Sequence, residues 1–327
     1  MLAFILRRLL QSLVVMLIVG FLSFIVFRYV GDPLTALTNQ DTRLSDRDVL
    51  TEQLGLNAPV PVQFAQFVGR ALQGDFGTSF RLQEPVTRLI LERLPATLEL
   101  ALTSVIIALS LGVVLGVLAA LYRKSWWTSV IMALSLIGVS LPTFLIGIGL
   151  ISLFAVELGW LPSFGRGETV LIGGWRTGLL TPSGLRSLIL PALTLSLFQL
   201  TLIMRLVRAE MLEVLRQDYI RFARARGLSA RAINFGHALK NTLVPVITIA
   251  GLQLGSIIAF AIVTETVFQW PGVGSLFINS VQVVDVPVMA AYLVFIAFIF
   301  VAINLVVDIL YFIVDPRLRI AQRPAGA

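Results

Sequence analysis

Residues 219–245 read YIRFARARGLSARAINFGHALKNTLVP. The stretch is basic, is interrupted by glycine, and lies between apolar segments long enough to cross a bilayer. Its cations are Arg221, Arg224, Arg226, Arg231 and Lys240, with His237 joining them only at low pH; Asp218 stands one residue outside. A helix-length run ends at Gly227, a residue suited to the left-handed position that closes a helix. Ser229 then offers an N-cap for a second helix from Ala230, and Leu228 and Ile233 are placed to pack the two together. The spacing predicts a folded helix–glycine–helix element at the membrane surface. The plainer alternative is a basic loop that only sets topology, since inside loops of membrane proteins are routinely rich in Lys and Arg.

The whole chain fits a membrane setting. Of its 327 residues, 57% are hydrophobic and 13% charged, and mean hydropathy is +0.92. A soluble domain carries about 25% charged residues. The net charge of +7 does not require nucleic acid as a partner. The cations cluster beside apolar runs, and positive-inside topology accounts for them. With no cysteine there is no disulfide, thiol nucleophile or thiolate metal site.

Working outward, apolar runs at 9–27, 95–121, 130–156, 188–204, 243–263 and 288–314 give about six spans, each near the roughly 20 residues that a bilayer demands. Arg7-Arg8 precede the first run, and no small-residue cleavage site follows it. Both ends therefore lie inside, together with the 219–245 element. The expected organisation is an N-terminal transmembrane helix over 1–30, an outer loop region over 31–94, a core over 95–314 whose coupling loop occupies 213–242, and an inside tail over 315–327. Within the outer region Ser45-Asp46 can start a helix through Leu54, and Phe64, Phe67, Val68 and Ala71 recur at helical spacing, predicting an amphipathic helix on the membrane surface. Pro142 should kink or open the third span. Trp126, Trp127 and Trp160 suit interfacial anchors. Arg205 and Arg208 follow the fourth span, where snorkelling explains them. Residues 268–287, too apolar for a free loop, are expected to fold back into the outer leaflet or plug the outer mouth of a pathway.

Ionisable and amide groups at membrane depth are costly and mark either function or a paired interior group. Glu99, Gln253, Glu265 and Asp308 are the pathway candidates on this ground; Asn304 and Asp308, one turn apart, share a face. For Glu99 the bland reading is a carboxylate reaching water or an arginine such as Arg93. Arg166, Arg176 and Arg186 in the second outer loop serve either an outer partner or anionic substrate group, or simply a solvated loop face.

Several chemistries are absent from the sequence. No G-x-x-x-x-G-K-[ST] phosphate loop occurs, and the two lysines, Lys124 and Lys240, lie in other contexts. His237 is the single histidine, so H-E-x-x-H metal chemistry and a Ser–His protease in its usual form are excluded. The chain thus reads as no enzyme, with no catalytic or metal site. Two classes of function remain: a motor-driven pore subunit, which needs a docking element, and an autonomous secondary transporter or channel for a small solute, which does not. Carriers of the second kind often show repeated halves, and none is evident.

The 219–245 stretch resembles the coupling loop of ABC-importer permeases, in the peptide-importer form Y-x-R-x-A-R-A-x-G-L, through Tyr219, Arg221, Ala223, Arg224, Ala225, Gly227 and Leu228. The leading Glu-Ala of the general motif is Arg221-Phe222 here. LGLNAPVPVQF at 54–64, GDFGTSF at 74–80, EPV at 84–86, LPATLELAL at 94–102 and F-x-x-P-G-x-G-x-L at 268–276 resemble the same family in the same order. The basic residue usual before Asp285 is Val284 here, so the role of Asp285 stays open. The chain is similar to the first-type permease subunit of dipeptide, oligopeptide and nickel ABC importers. That resemblance implies an all-α polytopic fold of the type I ABC-importer permease kind in the bacterial inner membrane. It implies as partners a second, homologous permease subunit, two ATP-binding cassette ATPases that carry ATP and Mg, and an extracytoplasmic substrate-binding protein. It also implies that Tyr219, Arg221, Ala223, Arg224, Gly227 and Leu228 couple to the ATPase. The cargo could be a dipeptide, oligopeptide, glutathione, nickel or another small solute.

Overall fold

An almost unbroken apolar sequence makes Leu2–Tyr29 one helix, α1. Pro59 and Pro61 start the next, α2 (Val60–Leu72), where a missing N–H costs nothing. The third, α3 (Val86–Leu121), runs for 36 residues. It begins ahead of the expected 95, and Pro95 lies inside it. Then follow α4 (Trp126–Ser140), α5 (Thr143–Leu150) with a π-helical continuation Ile151–Glu157, and a two-stranded hairpin of β1 (Val170–Ile172) and β2 (Trp175–Thr177). After these come α6 (Pro182–Val214), α7 (Asp218–Ala225), a π-helical turn Ala232–Ala238, α8 (Leu239–Val267), α9 (Val273–Gln282) and α10 (Val286–Val314). This computed structural model describes residues 2–29 and 58–314. The helix expected at 45–54 and the tail after 314 lie outside the described residues.

Among the described residues, four helices are long and apolar enough to cross a bilayer, and a bent pair makes five if it counts as one span. The six expected spans map in order onto α1, α3, the α4–α5 pair, α6, α8 and α10. The third is not a tilted rod: its halves meet at 114°. The cause is Pro142. Leu141 (φ −92°, ψ 138°) and Pro142 (ψ 138°) are both extended, because the proline ring pushes its predecessor out of the helical region. A 15-residue helix such as α4 rises only about 22 Å, short of a hydrocarbon core of about 30 Å. The fourth span is also longer than expected. It starts at Thr181, whose Oγ1 accepts from the Gly184 N–H at 3.1 Å, and runs through Arg205 and Arg208 to Val214.

The chain forms two compact units. The first contains Met1–Thr97, Leu171–Arg176 and Pro271–Ala302. Here α2 does not lie free on the membrane surface. Phe64 meets Phe21 and Phe24 of α1 edge-on, with ring centres at 5.4 and 5.7 Å. Arg28 donates to Gln63 at 2.6 Å. Ser23, fully buried, donates to the Ala290 carbonyl of α10 at 2.6 Å. The Thr97 hydroxyl accepts from the Val273 N–H that opens α9, and Phe277 stacks on Tyr292 at 4.3 Å. The 268–287 stretch is therefore built around a short, anchored helix.

The open question of Asp285 is settled in this unit. Its carboxylate, 2% exposed, accepts from Ser79 Oγ at 2.5 Å, Phe80 N at 3.1 Å and Arg81 N at 3.4 Å. The aspartate clamps the GDFGTSF turn. It is aimed by a helix-closing motif at the end of α9, in which Asp285 N reaches Ser280 O and Val284 takes φ +54°. A β-branched residue is strained there, and the buried clamp holds it.

The second unit contains Leu98–Val170, Thr177–Trp270 and Ile303–Ala327. Its hub is α6: 67% of its apolar window is buried, against 17% for α1, and α4, α5 and α8 all pack on it. Lipid provides no hydrophobic drive between spans, so close backbone approach does the work. A Cβ on Gly116 of α3 would stand 2.7 Å from both Met204 O and Val207 Cβ, and one on Gly112 would stand 2.9 Å from Ile203 Cγ2. Gly138 of α4 approaches Thr201 and Leu197 in the same way, and Gly251 of α8 lies against Val307 of α10.

Gly116→Leu should cost about 3 kcal/mol by overpacking and reduce the folded, monodisperse fraction in fluorescence-detected size exclusion. Gly149→Ala, with open space around the glycine, should leave that fraction unchanged. A normal profile for Gly116→Leu would refute the close α3–α6 approach.

Candidate functional site

The helix–glycine–helix element is present. Helix α7 ends in a full closing motif, with Gly227 N to Arg224 O at 3.0 Å, Leu228 N to Ala223 O at 3.3 Å, and Gly227 at φ +79°. Ser229 Oγ accepts from Ala232 N at 3.3 Å and caps the next helix. That helix passes through the π turn straight into α8, so the element is continuous with a span.

Its two faces differ. Ile220 (0% exposed), Ala223, Ile233 and Ala238 are buried in one apolar cluster with Ala108, Val117 and Ala120 of α3, Ile203, Val207 and Met211 of α6, and Val246 of α8. Burial of Ile220 and Ile233 contributes roughly 1.5–3 kcal/mol each. By contrast, the Arg221–Asp218 pair at 3.2 Å is largely exposed and adds about 0.5 kcal/mol at most. Packing therefore holds the element, and the charges are left on its surface. Tyr219, Phe222, Leu228 and Phe235 are exposed along with Arg221, Arg224 and Arg226. Tyr219 also accepts from Asn241 at 2.7 Å, tying α7 to α8. Ile233 packs inward as expected, whereas Leu228 is 43% exposed and does not join the two helices. Ala223 faces the protein's own core, so the close approach it permits is between α7 and the spans.

The four membrane-depth candidates fall into separate settings. Glu99, 4% exposed, is paired with Arg166 at 2.5 Å. Its Oε2 also accepts from Gly178 N at 3.4 Å, and the Arg166 guanidinium lies 5.9 Å from the Trp270 ring centre. This corrects two expectations. The partner is Arg166 rather than Arg93, and Arg166 is buried rather than part of a solvated loop face; Arg176 and Arg186 are exposed. Gln253 holds Ser256 at 3.2 Å, while Gln199 of α6 donates to Gln253 O at 3.0 Å and to Ser256 Oγ at 3.2 Å. Gln199, absent from the sequence reading, is 3% exposed. An amide midway along an apolar helix was its available signal. Glu265 is fully buried near the end of α8, and Asp308 is buried on α10. No group of three or more His, Cys, Asp or Glu capable of holding a metal occurs among the described residues.

The family profile described as binding-protein-dependent transport system inner membrane component matches residues 112–320, and its N-terminal companion matches residues 1–101. A putative peptide transport system permease protein of Brucella abortus is 41% identical, covering 98% of this chain and 99% of its own length. The oligopeptide transport system permease protein AppB of Bacillus subtilis is 42% identical over 97% and 99%. Among solved structures, an inward-facing MetNI methionine ABC transporter matches with a TM-score of 0.50 at 20% identity, over 70% of this chain and 96% of that one.

Breaking a buried ion pair from one side costs about 3–5 kcal/mol. Glu99→Gln should therefore lower the unfolding temperature in detergent, and the Glu99→Leu/Arg166→Leu double variant should lose much less. Unchanged stability with lost uptake would instead make Glu99 a pathway group.

Proposed function

The chain belongs to the family of binding-protein-dependent transport system inner membrane components, and on that premise we propose that it is a pore subunit of an ATP-driven peptide importer whose motor engages the 219–240 element. One observation carries this reading: α7 and the helix after it present an exposed aromatic and cationic face while their opposite face is buried among the inner ends of α3, α6 and α8. A push on the exposed face is delivered to three spans at once.

In this reading Tyr219, Arg221, Arg224 and Leu228 meet a cytoplasmic ATPase, Ala223 seats α7 on the spans, and Gly227 sets the bend. ATP and Mg reside on two partner ATPases. A second permease subunit completes the path, and an extracytoplasmic binding protein delivers cargo. Peptide cargo is supported by relatives named for peptide and oligopeptide transport. The importer alternates between inward- and outward-facing states by rocking of packed spans, and ATP drives the change by binding the two states unequally. The core over 95–314 does this work, with the 31–94 region on the outer side. The membrane-depth groups split in role: Glu99 is structural, whereas Gln253, Glu265 and Asp308 remain the pathway candidates.

Nothing lies within 4 Å of a Cβ built at Gly227, so substitution there acts through backbone strain alone, about 1–2 kcal/mol for an L-residue. Gly227→Val should insert and purify normally yet lose peptide uptake and ATPase co-purification. Full uptake with ATPases retained would overturn the proposed lever.

A further inference from the structure

Next to the coupling element, the second unit carries a cleft of about 410 Å³, of whose lining the docking role takes up only Arg224. Arg123 from the α3–α4 turn, Arg216 from just beyond α6, Arg224 of α7, and Asn234 line it. Its remaining wall is apolar, with Leu121, Leu212 and Leu215. No carboxylate is among its lining residues, and none of the three arginines belongs to an ion pair among the described residues. The adjoining cleft differs: there Glu213 and Asp218 sit beside Arg216.

Its depth is set by its neighbours. Tyr122 follows Leu121 directly and contacts Trp127, with ring centres 5.8 Å apart, and Trp126 is 77% exposed. Such aromatics sit at headgroup level. Arg224 stands one turn from the buried Ile220 and about 200° around α7 from the exposed Phe222, so its exposed side chain lies at the edge of the docking face and lines the cleft. Three cations and an amide over an aliphatic floor, at the level where a bilayer presents phosphates, match a phosphodiester that carries acyl chains.

We propose that this cleft holds the headgroup of an anionic phospholipid of the inner leaflet. The phosphate lies among Arg123, Arg216 and Arg224, and the first carbons of the chains run along Leu121 and Leu212. The lipid then bridges the α3–α4 turn to α7 and fastens the coupling element along the edge of its docking face, where Arg224 stands. This goes beyond the pore assignment and does not require it.

The test uses the full chain with the partners it retains, in nanodiscs of phosphatidylcholine doped with phosphatidylglycerol, and native mass spectrometry reads the lipid kept after detergent exchange. The wild type should keep phosphatidylglycerol in preference to phosphatidylcholine. Arg123→Gln/Arg216→Gln should lower that retention about fivefold per arginine removed. Arg123→Lys/Arg216→Lys should restore most of it, which also separates lost charge from lost folding, and Arg186→Gln should change nothing. Equal retention by wild type and the Gln double variant overturns the proposal. So does complete displacement of phosphatidylglycerol by millimolar inorganic phosphate, which would make the cleft a free-phosphate site. Loss of an ATPase subunit from the Gln variant with phosphatidylglycerol fully kept would assign the arginines to a protein carboxylate. None of these readouts depends on ATP or on transport, so failure of the pore assignment would not be mistaken for failure of the lipid site.

Discussion

Burial of one face of the basic element is the interaction on which the rest depends. Ile220, Ala223, Ile233 and Ala238 carry no charge and little polarity, yet they decide where the charges of 219–240 can act. Without their seat among Val117, Val207 and Met211, α7 would be an eight-residue helix on a loop, and isolated helices that short do not persist in water. With it, the helix is an extension of the span bundle, and its cations become a fixed pattern. The closing motif at Gly227 and the Ser229 cap act after this, setting the angle at which the second helix returns.

The spans that receive this seat are held by near contact of backbones. Glycines at 112 and 116 let α3 reach α6, and glycine at 138 lets α4 do the same. In hydrocarbon this is the available source of attraction, because every helix surface is equally content with lipid. It also explains why α6 carries so few aromatic residues along its buried face: a large side chain would hold its neighbours off. Several of the polar groups that remain inside bond locally, although Gln199 Oε1 and Thr264 Oγ1 are buried without a hydrogen-bond partner among the described residues. Gln199, Gln253 and Ser256 bond one another, and Thr201 reaches Ser135 O at 3.2 Å.

What was legible in the sequence follows from range. The two helices around Gly227 were legible to the residue because glycine closure and serine capping are decided within a few positions. The presence of a break at Pro142 was legible for the same reason, but its 114° was not. Pro95, Pro191 and Pro245 stay inside continuous helices, so the ring that opens the chain at Pro142 is tolerated where neighbouring helices satisfy the freed backbone groups. Partners distant in sequence were illegible. Arg166 lies 67 positions from Glu99, and Ser79 lies 206 from Asp285. No periodicity in one sequence connects them. The G-x-x-x-G at 112–116 is a different case: it is a local signal of the close helix approach that the fold shows.

The fate of Glu99 bears on how membrane-depth charges should be interpreted. A carboxylate in hydrocarbon is expensive, and expense was the reason to suspect function. The same expense is met when a guanidinium from an outer loop is drawn in beside it, and Arg166 is drawn in far enough to lie near Trp270. The pair then contributes little net stability compared with an apolar substitute, but it ties the start of a span to the loop between two others, in one defined geometry. The same loop is fastened by further polar contacts, with Gly165 N reaching Phe268 O at 2.9 Å and Thr181 Oγ1 reaching Glu168 O at 2.7 Å. In a protein whose proposed work is to rock, the outer loop is therefore held by directional polar contacts, whereas the inner element rests on a broad apolar seat. The two ends of the second unit are thus secured by different physics, each suited to what that end has to do.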